Sequence, residues 1–111
     1  MRKLSLADLT GRGGGPVLAA AVPGYHIERG GITRYESGAR SHPEGYHSHT
    51  VPEMFVILQG SGTIEIDGAP TAFQAGDVFV VDAGEDHHLV CQGELPLVSA
   101  WLHLIPAADG E

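Results

Sequence analysis

The chain has 111 residues, a formal charge of −8 at pH 7 with histidine neutral, and a single cysteine, Cys91. That length makes one domain with one core. The acidic balance, with six Lys and Arg scattered and never in a run, argues against nucleic acid or an anionic membrane as partner. A lone cysteine forms no internal disulfide, and a reducing, cytoplasmic setting fits it.

The opening MRKLSLADLT has its apolar positions broken by Ser5, Ala7 and Asp8, so it offers no continuous stretch for a signal peptide. One helical turn is expected over Leu4–Leu9, then a glycine-rich connector over Gly11–Gly15. Beyond it the rhythm is all-β: sixteen glycines and seven prolines punctuate short apolar runs. Strands are expected at Val17–Val22, Tyr25–Glu28, Ile32–Glu36, Tyr46–His49, Glu53–Leu58, Thr63–Asp67, Thr71–Phe73, Asp77–Val81, His87–Gln92 and Leu97–Ile105. Asp67-Gly68 is the strongest two-residue hairpin signal. Residues 107–111 read as a frayed tail. The division is an N-terminal segment 1–15, a β-domain 16–106 and the tail. Apolar runs too short to span a bilayer exclude a transmembrane helix.

The segment from Ser41 to Glu53 concentrates His42, Glu44, His47, His49 and Glu53. His47 and His49 stand at i and i+2, which on a strand puts both imidazoles on one face, about 6.6 Å apart. Glu53 lies too far along a straight strand to share an ion with them. Pro52 removes a ladder donor, so a bend there can bring Glu53 back beside the histidines. After it, Phe55 and Ile57 share the face of Glu53, while Met54, Val56 and Leu58 take the other, so this strand is expected to be buried on both sides. A carboxylate aimed into such an interior needs a positive partner, and a divalent cation would serve. Further ligands are sought in GDVFVVDAGEDHH, where alternation lets only one of His87 and His88 look inward.

The pattern resembles the cupin superfamily. Its first motif is a glycine, five residues, H-x-H, three or four residues, a glutamate, six residues and a glycine. His47, His49, Glu53 and Gly60 match, and Ser41 stands at the opening glycine. The second motif is a glycine, five residues, P-x-G, two residues, a histidine, three residues and an asparagine. Gly76, Gly84 and His87 match, with Asp82 in place of the proline and Cys91 in place of the asparagine. The resemblance runs from about Ile32 to Ile105. It implies a jelly-roll β-barrel, the double-stranded β-helix, with one divalent transition metal ion (Mn, Fe, Co, Ni, Cu or Zn) held by His47, His49, Glu53 and His87. Three neutral imidazoles and one carboxylate leave such a site with one net positive charge. Open positions would let it bind and polarise a small chelating ligand.

The first functional reading is a metalloenzyme of the dioxygenase type acting on a small oxygenated organic molecule. The alternatives are a non-redox isomerase or lyase of sugar-like substrates and a non-catalytic ligand-binding or sensing module. His42 and Glu44 read as loop residues and His26 as half-buried or interfacial. His88 is expected to face away from the metal, toward solvent or a subunit interface. Cys91 reads as a buried small apolar residue. Ser99, Trp101 and His103 share one face of the last strand. If that face is the inner one, Trp101 and His103 stand near the pocket, where His103 can act as a supporting or acid–base group. One of Arg34 and Tyr35 must face inward. Apolar residues on both faces of several strands, and the early strands as edges, point to a homodimer.

Overall fold

The computed structural model describes residues 1–10, 21–41 and 49–107. Its elements in chain order are β1 (Arg2–Ser5), α1 (Leu6–Thr10), β2 (Tyr25–Tyr35), β3 (Glu53–Gln59), β4 (Ser61–Ile66), β5 (Ala69–Gln74), β6 (Asp77–Val81), β7 (His87–Cys91) and β8 (Leu97–Pro106). The strands form two sheets, one of five strands in the order β1-β6-β3-β8-β2 and one of three in the order β5-β4-β7, with every pairing antiparallel. This is the expected all-β jelly-roll plan. Its two sheets face one another rather than join in a closed ring of strands.

Alternation explains where the core lies. Phe55 and Ile57 of β3, Phe79 and Val81 of β6 and Leu97 of β8 meet Ile64, Phe73, Leu89 and Cys91 of the smaller sheet in one buried cluster. The opposite residues of the same strands, Met54, Val78, Val80 and Leu104, pack into a second cluster with Leu9, Ala21 and Val22. The middle of the large sheet, β6 and β3 as far as Ile57, is therefore buried on both sides, whereas Leu58 at the end of β3, expected to be buried, and Ile32 on the edge strand β2 are exposed. Cys91 is fully buried.

The hairpin at Asp67-Gly68 forms as expected. Both residues have positive φ, 48° and 84°, the left-handed pair that lets a two-residue turn follow the twist of β4 and β5. Four other expectations need correction. Leu4 and Ser5 are not helical. They belong to β1, which pairs with β6, and the helix begins only at Leu6, with the Ser5 hydroxyl accepting the Asp8 amide at 3.0 Å as its cap. The run Tyr25–Tyr35 is one strand, because Arg29-Gly30-Gly31 continues the ladder to β8 through a register shift between Ile27 and Arg29. Ala21 is helical and Val22 lies in a bend, so the end of the expected strand Val17–Val22 is not extended. His49 belongs to no strand. Residues 17–20, the expected connector 11–15, Tyr46–Ser48 with His47, the loop residues His42 and Glu44, and the tail beyond Ala107 lie outside the described residues. No described helix is long and apolar enough to cross a membrane.

Candidate metal centre

Glu53 opens β3 with its side chain in the inter-sheet face. The carbonyl of Pro52, just before it, accepts the Leu104 amide of β8 at 3.0 Å, which fixes the bend that the sequence requires at this proline. The Gly84 amide, in the turn between β6 and β7, donates to the His49 carbonyl at 2.9 Å. The bend and the turn thus bring His49 beside Glu53 although neither strand contains it. Register does the rest: Glu53 lies directly opposite His103 on β8 and Val81 on β6.

Three imidazoles converge on this one carboxylate, which is only 5% exposed. His87 Nε2 is 2.9 Å from Oε1, His49 Nε2 is 3.2 Å from the same oxygen, and His103 Nε2 is 3.2 Å from Oε2. The ring centroids of His49 lie 5.2 Å from His87 and 4.5 Å from His103. Donor atoms of His49, Glu53 and His103 all fall within 4.8 Å of one another. Of the four residues implied by the motifs, the structure brings together His49, Glu53 and His87, and His47 lies outside the described residues. His103 joins the group, which the sequence left as one possibility for the inner face of β8. Trp101 stands beside it, 5.2 Å between ring centroids.

The electrostatics follow from burial and partners. Burial alone would raise the Glu53 carboxyl. The hydrogen bond from His87 and the charges of His87, His49 and His103 outweigh it and hold the group below the usual carboxylate range. For His87 burial works toward deprotonation. The hydrogen bonds to Glu53 and to the Glu85 carbonyl, with the nearby charges of Glu53 and Asp86, overcome it and raise the imidazole above its ordinary value. Both ring nitrogens of His87 face acceptors, Nδ1 donating to the Glu85 carbonyl at 3.0 Å and Nε2 to Glu53. Tyr35 is raised by burial and by the Glu53 charge against a lowering hydrogen bond with Thr33, so its phenol stays protonated.

These groups form the floor of a cavity of about 400 Å³. Phe55, Leu89 and Trp101 give it apolar walls, and Thr33, Tyr35 and Ser41 give it hydroxyls. Ile57, on the same face of β3 as Glu53 and Phe55, is fully buried in the core below. Of the pair left open by the sequence, Tyr35 faces the cavity. Arg34 points out and pairs with Glu36 at 3.2 Å. His88 does face away from the cavity, but solvent is not its partner. It is 2% exposed, with Nδ1 2.9 Å from the Ser41 carbonyl and Nε2 3.0 Å from an Asp86 carboxylate oxygen. The reason is the segment Ala39–Ser41, which hydrogen-bonds along β7 through Cys91 and Leu89 and brings its Ser41 carbonyl onto the ring.

A two-sheet jelly roll carrying a buried His/Glu cluster at the floor of an open cavity defines a class of small metal-site β-proteins. The chain belongs to the cupin family: the cupin domain model matches residues 31–103. Among curated proteins it is 34% identical over 64 residues to dimethylsulfoniopropionate lyase DddW of Ruegeria pomeroyi. That match takes in 58% of this chain and 40% of the lyase, so the chain spans well under half the length of that relative. Among solved structures, a cupin protein from Bacteroides fragilis superposes with a TM-score of 0.58 at 25% identity, covering 82% of this chain and 73% of that one. A cupin 2 conserved barrel domain protein from Salinispora arenicola does so with a TM-score of 0.60 at 21% identity, covering 71% and 72%.

Proposed function

We propose that the chain is a mononuclear metal-binding cupin that acts as a lyase on a small oxygenated organic molecule. The observation that supports this best is the Glu53 carboxylate, buried at the floor of an open cavity with three imidazole Nε2 atoms turned toward it. A nitrogen-rich set with one carboxylate fits a divalent ion of the Mn-to-Zn series. His49, Glu53 and His87 would hold it with His47, and His103 is close enough to complete the set. When bound, such an ion supplies Lewis acidity to an oxygen of the ligand.

The chain's own residues prepare that site. The Glu85 carbonyl keeps the proton of His87 on Nδ1, which presents Nε2 as the free donor once a cation replaces its proton. The main-chain bonds of Pro52 and Gly84 hold Glu53 and His49 in place before any ligand arrives. Phe55, Leu89 and Trp101 keep the cavity apolar, so a ligand displaces water at little cost. Tyr35, as a protonated phenol, offers a hydrogen bond to an oxygen of the ligand.

The likeness to a lyase favours elimination over the oxygen chemistry first expected of the site. We take the working form to be a cytoplasmic homodimer whose functional unit is the domain 16–106 together with β1 and α1, which respectively pair with β6 and pack into the core. The test is turnover of dimethylsulfoniopropionate by metal-loaded protein, followed by NMR. The expected result is an unsaturated acid and dimethyl sulfide, formed equally with and without dioxygen and lost in Glu53→Ala. Oxygen uptake in step with product would replace the lyase reading by the dioxygenase one.

A further inference from the structure

The imidazole cluster is one end of the cavity, and the edge strand β2 supplies the other. Arg29, Gly31, Thr33 and Tyr35 share its inward face, with Arg29 beside His103 and Gly31 beside Trp101 in the ladder. A Cβ on Gly31 would stand 2.9 Å from Trp101 Cζ2 and 3.0 Å from Cε2 and Nε1. The missing side chain is the space into which the indole lies. Arg29 then rests on that indole, its guanidinium carbon 5.7 Å from the ring centroid.

The other described cations are engaged. Lys3 faces Asp77 at 3.7 Å, Arg34 faces Glu36 at 3.2 Å, Arg40 faces Glu65 at 2.9 Å, and Arg2 donates to the Ala21 carbonyl. Among the described residues Arg29 alone has neither a carboxylate nor a carbonyl partner. In a chain of net charge −8, a cation left over at a cavity mouth is available to an incoming anion. Cation–π attraction to a ring uses the charge of the guanidinium and leaves its N–H donors for a planar, two-oxygen partner. Glu53, His103 and Arg29 form one row across three strands, so Arg29 stands two strand spacings, about 10 Å between backbones, from Glu53. The side chains close much of that distance, and a molecule a few bonds long bridges it.

We propose that Arg29, laid on Trp101 in the gap left by Gly31, is the anion-binding residue of this cavity, and that the substrate is a small carboxylate. This rests on the reading of the cavity as a substrate site, but it does not require the metal. Trp101 is the single tryptophan of the chain, so its emission reports on this spot alone. The experiment titrates propionate, and its neutral counterpart propionamide, into protein at constant ionic strength, with and without excess chelator. Expected is a saturable change with propionate that propionamide lacks, that survives chelation, and that weakens about tenfold or more in Arg29→Gln, the scale of losing charge-assisted hydrogen bonds. Arg34→Gln, which leaves the cavity untouched, should titrate like wild type. If Arg29→Gln binds propionate as tightly as wild type, or if wild type shows no saturable response, the assignment falls. A wild-type response abolished by chelator and unchanged in Arg29→Gln also overturns it, while leaving the metal site standing.

Discussion

In metal-free protein, Glu53→Gln should destabilise the fold in a way that depends on pH. The change keeps the side-chain shape and removes the charge that His87, His49 and His103 meet at 2.9, 3.2 and 3.2 Å. Hydrogen bonds to a charged group contribute about 1.5–3 kcal/mol each, but burying a carboxylate costs several kcal/mol. The net loss is then about 2–3 kcal/mol, below the ~3–5 kcal/mol of a broken buried pair, because His87 can shed its proton. For a chain of this size, that lowers the melting temperature by roughly 10 °C. The sign follows from the two shifts. Glu53 is held below its ordinary value, so its contribution is complete above about pH 4.5 and fades as pH falls through the lowered value. His87 is raised, so its contribution is complete below about pH 6.5 and fades as pH rises through the raised value. Thermal melts of chelator-treated wild type and variant from pH 4 to 9 should therefore differ most between about pH 4.5 and 6.5. A difference that is flat across this range, or that widens above pH 8, would refute the assignment of His87 as the charged partner of Glu53.

Other outcomes follow from the packing. His88→Ala should leave metal binding intact and lower stability by about 1–3 kcal/mol, since it deletes the buried bonds to the Ser41 carbonyl and Asp86, as urea unfolding with a parallel metal assay would show. Gly62→Ala should be poorly tolerated, because a Cβ there collides with the backbone carbonyl of Val90 across the ladder between β4 and β7. Its soluble yield and melting temperature should fall far more than those of Gly68→Ala, where a Cβ meets no neighbour and only the positive φ objects. Sedimentation at micromolar concentration should show a dimer, and a monomer would remove the homodimer reading. Exposed Ile32 and Leu58 are the first positions to test by substitution with aspartate.

The parts of the site legible in the sequence are those fixed by local rules. Pro52 forces a bend, so Glu53 and His49 can meet, and alternation allows only one of His87 and His88 to face inward. Asp67-Gly68 has one good backbone solution. The parts that were not legible depend on distant pairing. β1 looks like the start of a helix because its partner, β6, lies more than seventy residues away in the chain. Gly30-Gly31 looks like a turn because nothing local says that Trp101 needs the space above it. A break there interrupts the parity of β2, so the sequence alone assigns no face to Arg29 and leaves Arg34 and Tyr35 open. His88 seems bound for solvent until the segment Ala39–Ser41 is laid along β7. His103 had a signal, its shared parity with Ser99 and Trp101. Its place beside Glu53 depended on the register between β3 and β8.

Whether the imidazoles around Glu53 hold a metal ion is open to direct test. The most direct measurement is the metal content of untagged protein by elemental analysis, before and after reconstitution, for wild type and four single variants. About one transition-metal ion per chain is expected in wild type and in His88→Ala, with loss of that ion in His49→Ala, Glu53→Ala and His87→Ala. Wild-type metal retained after reconstitution by both His49→Ala and Glu53→Ala would contradict the metal assignment.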